Sequence, residues 1–415
     1  MKNHILNIGL IAGAILLFNA CSDDDNDSKN GGAPIVRYIR TCDELKSDSL
    51  LNSAYLGAKI AIIGENMGSV NKIMFNDRKA KLNPSFVTNN AIIVDIPNEI
   101  PGLKEDLIRL YTNNDSCEFT FETKVPVPAA TAMTCEYVKA GDMAQIQGMY
   151  FVNDEAVPLK VVFPGGAEAE IVSQDVNNVS VIVPENATKG PIEIISVYGT
   201  GKSSFHFRDD RNLILDFDRI YPDGGYHHGW HKGYGYGTEN GVNGQYLIFH
   251  GEMDDEKWDD SNFGYERWTY RQDDPDFVDA GNLKDYVLKF EVNVPDVWSS
   301  SAFQFIFTGA EEVWMNWQET SNGGNPNNGY AASATYPRAL WMPWSVTGSY
   351  STNGWITVAI PMTDFRFNAA GEDLKSPMGI GHYSGLSLLV NGTGGVTGTP
   401  CNPTFYVDNV RVVEK

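Results

Sequence analysis

The sequence predicts an all-β chain built from three sandwiches, two small ones in tandem and a larger one after them. Three observations carry this. Long helical periodicities are absent, while 40 glycines and 20 prolines punctuate short runs of alternating or continuous apolar residues. Residues 35–208 contain a weak internal repeat. All nine tryptophans lie from Trp230 onward, so the composition changes where the repeats end. A chain of 415 residues exceeds one ordinary domain, and 42% hydrophobic residues can fill several cores.

Residues 1–20 read as an export signal. Lys2 and His4 precede the apolar run Ile5–Phe18, which is shorter than the about 20 residues a membrane span needs. Cys21 follows the small residue Ala20, the arrangement of a lipoprotein cleavage and lipidation site, although Leu17 sits one place early and Asn19 is an unusual neighbour. The alternative is an ordinary signal peptide with an incidental cysteine. Residues 21–34 begin CSDDDNDSKNGG, an acidic stretch that stays solvated and serves as a tether. Two or more acyl chains on Cys21 would hold the chain to a membrane, at about 0.8 kcal/mol for each buried CH₂.

Residues 35–125 and 126–208 are the two repeats. The first contains GAKIAIIGENMGSVNKIMFND (Gly57–Asp77) and NNAIIVDIPNEI (Asn89–Ile100). The second contains GDMAQIQGMYFVNDEAVPLKVVFPG (Gly141–Gly165) and NNVSVIVPENA (Asn177–Ala187). Each reads strand, glycine turn, strand, and then a strand ending in Ile-Pro or Val-Pro, which predicts small β-sandwiches. VPVPAATA (Val125–Ala132) is a stiff joint between them. Neither copy holds a chemical constellation, since Asp95, Glu99, Asp142 and Asp154 are isolated, so both are expected to act as spacers.

Residues 209–415 form one larger sandwich or jelly roll. The runs NLILDFD, QYLIFHG, YVLKFEVNVP, AFQFIFTG, WITVAIPMTDF, GLSLLV and TFYVDNVRVV are each bounded by Gly, Pro or Asn. Trp355 is expected to pack in the core or under a loop, and Trp298 to mark a strand end. Trp314, Trp317, Trp341 and Trp344 differ, because they bracket a polar run of Asn, Gly and Ser. Their spacings of three predict short turns that show two rings on one side. Trp230, Trp258 and Trp268 lie in further polar, aromatic loops. Such rings suit a sugar: they cover its apolar C–H face, at about 25 cal/mol per Å² buried, and as rigid groups lose little entropy. Asn262, Asn316, Gln318, Glu319 and Arg338 are the expected partners for its hydroxyls, and Tyr336 belongs to the same platform.

A net charge of −22 with no basic stripe excludes a nucleic-acid partner. A glycosidase would need two facing carboxylates, but Asp254, Asp255, Glu256, Glu311 and Glu312 come as adjacent runs that point to opposite faces of a strand. His227, His228 and His231 sit among glycines that disfavour the helix a zinc pair would use. Asp216, Asp218 and Asp408 suit either a structural calcium or turns. No cofactor or enzymatic activity is expected, with a secreted glycoside hydrolase and a protein-binding adhesin as the rival functions. Cys42, Cys117, Cys135 and Cys401 allow three disulfide pairings, Cys42 with Cys117 being the most local, or free thiols.

IIGENMG and IQGMYF resemble the turn of IPT/TIG immunoglobulin-like domains, and CSDDDND resembles the surface-export signal of Bacteroidetes lipoproteins. RALWMPW, STNGWITVAIPMTDF and FYVDNVRVV resemble the xyloglucan-binding domain of the surface glycan-binding proteins of Bacteroidetes polysaccharide-utilisation systems. That resemblance spans essentially the whole mature chain. It implies a carbohydrate-binding-module-like jelly roll and a cell-surface, outer-membrane lipoprotein. It implies a neutral β-linked plant polysaccharide as ligand (xyloglucan, β-glucan or β-mannan), held by Trp230, Trp314, Trp341 and Trp344. It further implies a TonB-dependent transporter and a second glycan-binding lipoprotein as partners.

Overall fold

A computed structural model describes residues 32–43, 45, 49–219, 234–253, 263–267, 275–309, 336–377, 379–391 and 398–415. Cys21 and the leader lie outside them. Among the described residues, Trp344–Thr347 is the only α-helix, and no helix is long and apolar enough to cross a membrane. The chain divides into two compact units, Met1–Lys124 and Val125–Lys415.

In the first unit, one four-stranded sheet runs Leu50–Leu51, Ile35–Thr41, Lys59–Glu65, Ala91–Asp95. The other runs Arg78–Lys79, Lys72–Phe75, Leu107–Tyr111, Ser116–Thr120. The alternation read from the sequence is the alternation of burial: Ile60, Ile62, Ile73, Phe75, Ile92 and Ile108 turn inward and are fully buried.

The second unit begins with a sandwich of the same plan. Its sheets run Ala129–Met133, Met143–Met149, Asn178–Ile182, Glu170–Gln174 and Ala167–Glu168, Lys160–Phe163, Gly190–Ser196, Gly199–Phe207. The repeated glycine turn has one physical cause in both copies. A Cβ at Gly64 would collide with the carbonyl oxygen of Ile35, and one at Gly148 with that of Ala129. Each of those partner strands carries a register shift, between Val36 and Tyr38 or between Ala130 and Ala132. Three residues on, Met67 and Phe151 plug the core.

The C-terminal domain is a jelly-roll-like sandwich. One sheet orders Tyr234–Gly237, Tyr246–His250, Thr404–Glu414, Tyr286–Asn293 and Ile356–Pro361, with Leu213–Leu215 also paired to the long last strand. The second orders Phe263–Arg267, Gly385–Asn391, Ala302–Thr308 and Arg338–Trp341. Between them lies an aromatic core of Phe249, Phe290, Phe303, Phe305, Phe307, Phe405 and Trp298. Trp298 is not a strand-end bystander: it is fully buried, with ring centroids 4.9 Å from Phe405 and 5.4 Å from Trp341.

The second sandwich and the C-terminal domain share one compact unit because charges bury between them. Asn409 takes a left-handed conformation (φ 48°), which breaks the register of the last strand against Tyr286–Asn293. Phe405, Val407, Val410 and Val412 therefore all reach the core, and Asp408 and Arg411 face outward from it. Arg411 pairs there with Glu291 at 2.8 Å and with Glu136 of the second sandwich at 2.7 Å, and Lys289 reaches Glu136 at 2.6 Å. Thr357 completes the seam: its amide donates to the carbonyl of Thr134 (2.8 Å), and its Oγ1 accepts from the amide of Glu136 (2.7 Å).

The four cysteines outside the leader are free thiols, so none of the three disulfide pairings forms.

Candidate binding face of the C-terminal domain

Docking of the second sandwich covers part of the outer face of the larger sheet, where Lys289, Glu291, Thr357 and Arg411 lie. The outer face of the four-stranded sheet is on the other side of the domain. Strand alternation sends Phe303, Phe305, Phe307, Leu386, Leu388, Val390 and Ala339 into the core. The opposite face then receives Gln304, Ile306, Thr308, Ser387 and Arg338. That is a band of hydroxyl, amide and guanidinium groups on an otherwise apolar sheet. Its members are buried, and Arg338 Nη1 donates to Gln304 Oε1 at 2.9 Å. Burial pushes the Arg338 guanidinium down to about 10, so it remains a cation at neutral pH.

The structure places the expected site residues as follows. Trp230, Trp314 and Trp317 lie outside the described residues, as do Trp258, Trp268, Asn262, Asn316, Gln318 and Glu319, the acidic runs at 254–256 and 311–312, and the histidines at 227, 228 and 231. Tyr336 is half-buried where the chain re-enters the sheet. Arg338 is 1% exposed, so it does not meet solvent as expected; strand pairing opposite Ile306 carries it into the polar band.

Trp341 and Trp344 do not form an exposed pair. Trp341 shares the inward parity of Ala339, and its ring packs edge-on to Phe290 at 5.6 Å. Trp344 opens the short helix after Pro343, is 6% exposed, and donates from Nε1 to the carbonyl of Ser301 at 2.8 Å. The polar run they bracket suggested solvent, but the short helical turn carries the Trp344 ring into the core and the strand lays the partly buried Trp341 ring against it. They also sit at the far end of the Arg338–Trp341 strand from the point where segment 309–337 joins it. Three strand steps, roughly 10 Å, separate the two ends.

Asp216 and Asp218 behave as turn residues. Asp216 Oδ1 accepts from the amides of Asp218 and Arg219, and Asp218 Oδ1 from the amide of Gln245. Among the described residues, no three His, Cys, Asp or Glu side chains are grouped to hold a metal.

A family model for the surface glycan-binding protein B xyloglucan binding domain matches residues 207–414, the whole of this sandwich. The chain belongs to that family. A crystal structure of the surface glycan-binding protein PbSGBP-B from Prevotella bryantii is 27% identical, with a TM-score of 0.79, over 92% of this chain and 99% of that one. An IPT/TIG domain-containing protein of Bacteroides ovatus is 29% identical over 215 residues, 48% of this chain and 43% of that protein. The match thus spans less than half the length of that relative. Over 92% of its length this chain shares its fold with that Prevotella bryantii protein, and the domain matched by the family model stands at its C-terminal end. The polar band and the aromatic core behind it both lie within the matched residues. Sequence reasoning missed Gln304 and Ser387, because each sits in an apolar strand run where a single polar residue reads as an interruption. Their shared parity across paired strands was the available signal.

Proposed function

We propose that this chain is a non-catalytic binder of a neutral β-linked plant polysaccharide of the xyloglucan class. It would retain the polymer at the cell surface for uptake. The observation that carries this reading is that the family match coincides with the one sandwich whose second sheet faces away from the docked repeat and bears a polar band. Aromatic side chains of the C-terminal domain, Trp230, Trp314 and Trp317 among them, supply ring faces for the sugar. The Gln304, Arg338 and Ser387 band is buried polar structure of the same domain and does not itself meet solvent. Trp344 within the core and Trp341 packed against it brace the domain from inside. Acyl chains on Cys21 anchor the chain to the outer membrane, the acidic tether and the two IPT/TIG sandwiches space the binding domain outward, and a TonB-dependent transporter with a partner glycan-binding lipoprotein takes the captured polymer.

Affinity gel electrophoresis of the mature chain against xyloglucan, mixed-linkage β-glucan and β-mannan tests this. Retardation by a soluble β-glycan without release of reducing ends is the expected result. Release of reducing ends would make the protein a hydrolase, and absence of retardation with every polymer would leave the adhesin reading in its place.

A further inference from the structure

A groove runs along the seam between the second sandwich and the C-terminal domain, on the side remote from the polar band. Two adjoining hollows of about 430 and 310 Å³ make it up, each in the range of roughly 300–1,000 Å³ of small-molecule sites. Trp355 and Asn353 line both, as do Met143 and Val138 from the opposite wall. Trp355 is half-buried, and it is not a core residue in the way Trp298 is. It is held from behind: Nε1 donates to the carbonyl of Asn240 at 2.8 Å, and the ring leans edge-on against Tyr246 at 5.3 Å and tilted against Tyr406 at 6.3 Å.

The geometry points to a second site for a neutral oligosaccharide in this groove, with Trp355 as its stacking platform. A fixed indole offers a flat apolar surface that does not have to be ordered on binding. Asn353, Gln145 and Asn240 are exposed amides around it, each able to donate and accept, which is what sugar hydroxyls require. Met143, 54% exposed, supplies apolar surface on the facing wall. The charges at the rim are one lysine and one aspartate, Lys139 and Asp142, which gives no preference for an ionic ligand. Both walls are set in place by the buried Glu136, Arg411, Glu291 and Thr357 contacts, so the cleft is formed before the ligand arrives.

This inference rests on the glycan-binding reading above. Isothermal titration of the mature chain with xyloglucan-derived oligosaccharides tests it. Two sites per chain are expected. Trp355→Ala should leave one, as should the double substitution Gln145→Ala with Asn353→Ala, which removes exposed amides and should leave the thermal midpoint unchanged. A single site in the unaltered chain, or two sites persisting in both variants, overturns the second site while leaving the first intact. No binding heat with any glycan overturns both readings together.

Discussion

Arg411, in the last strand of the C-terminal domain, donates from Nη2 to Glu136 Oε2 in the second sandwich at 2.7 Å, and both side chains are buried. The pair is linked through Arg411 to Glu291 and through Glu136 to Lys289. Breaking such a network strands a buried charge, which costs about 3–5 kcal/mol. Arg411→Ala should lower the denaturant-unfolding free energy of the Val125–Lys415 unit by that amount. A loss below about 1 kcal/mol would mean the seam holds by its apolar contacts.

Trp344→Ala should destabilise the protein by about 3–5 kcal/mol through the cavity it leaves and the lost hydrogen bond to Ser301. Trp344→Phe should recover part of the loss. Thermal unfolding checks this, and a midpoint unchanged in the alanine variant would place the ring outside the core.

The Asp408 carboxyl is pushed up to about 9, first by burial and then by the charges of Glu291, Asp218 and Asp216, against the amide of Asn409. The folded state therefore keeps a proton that the unfolded chain, with an ordinary value of about 3.9, releases. Stability should fall as pH rises from about 4 to about 9 and then level off. Asp408→Asn keeps the oxygen that accepts from Asn409 and removes the titration, so its midpoint should be higher than the parent's at pH 8 and flatter across the window. A parent profile already flat between those limits would contradict the raised value.

All four cysteines outside the leader are free, and burial raises the Cys135 thiol far above the ordinary range. Thiol titration of denatured protein lacking Cys21 should count four groups. Under native conditions Cys135 should resist iodoacetamide, as mass spectrometry of the labelled peptides would reveal. Its rapid labelling would mean that the seam opens.

Much of the fold was legible in the chain because its signals are local. Strand runs, glycine turns and the repeat around Gly64 and Gly148 depend on neighbours within a few residues, and the structure keeps them. The jelly-roll class followed from the same signals. What failed was decided by distant partners. Glu136 reads as a lone acid in CEYVKAG, and only docking brings Arg411 to it. Trp344 reads as exposed because the tryptophans around it bracket a polar run of Asn, Gly and Ser, yet its surroundings are Ser301 and the aromatic core. The polar band escaped notice because Gln304, Arg338 and Ser387 come from three separate strands, whose register no single segment reveals.

The seam at Glu136 also has a mechanical consequence. A polymer tugged by diffusion or flow exerts torque on the domain that grips it. Where two sandwiches meet through a floppy hinge, that torque is lost as swivelling. Here short ionic ties and the Thr357 backbone contact join the two sandwiches, so under the proposed function the second sandwich acts as a lever continuous with the domain that holds the glycan, and the heading of the held strand is set relative to it.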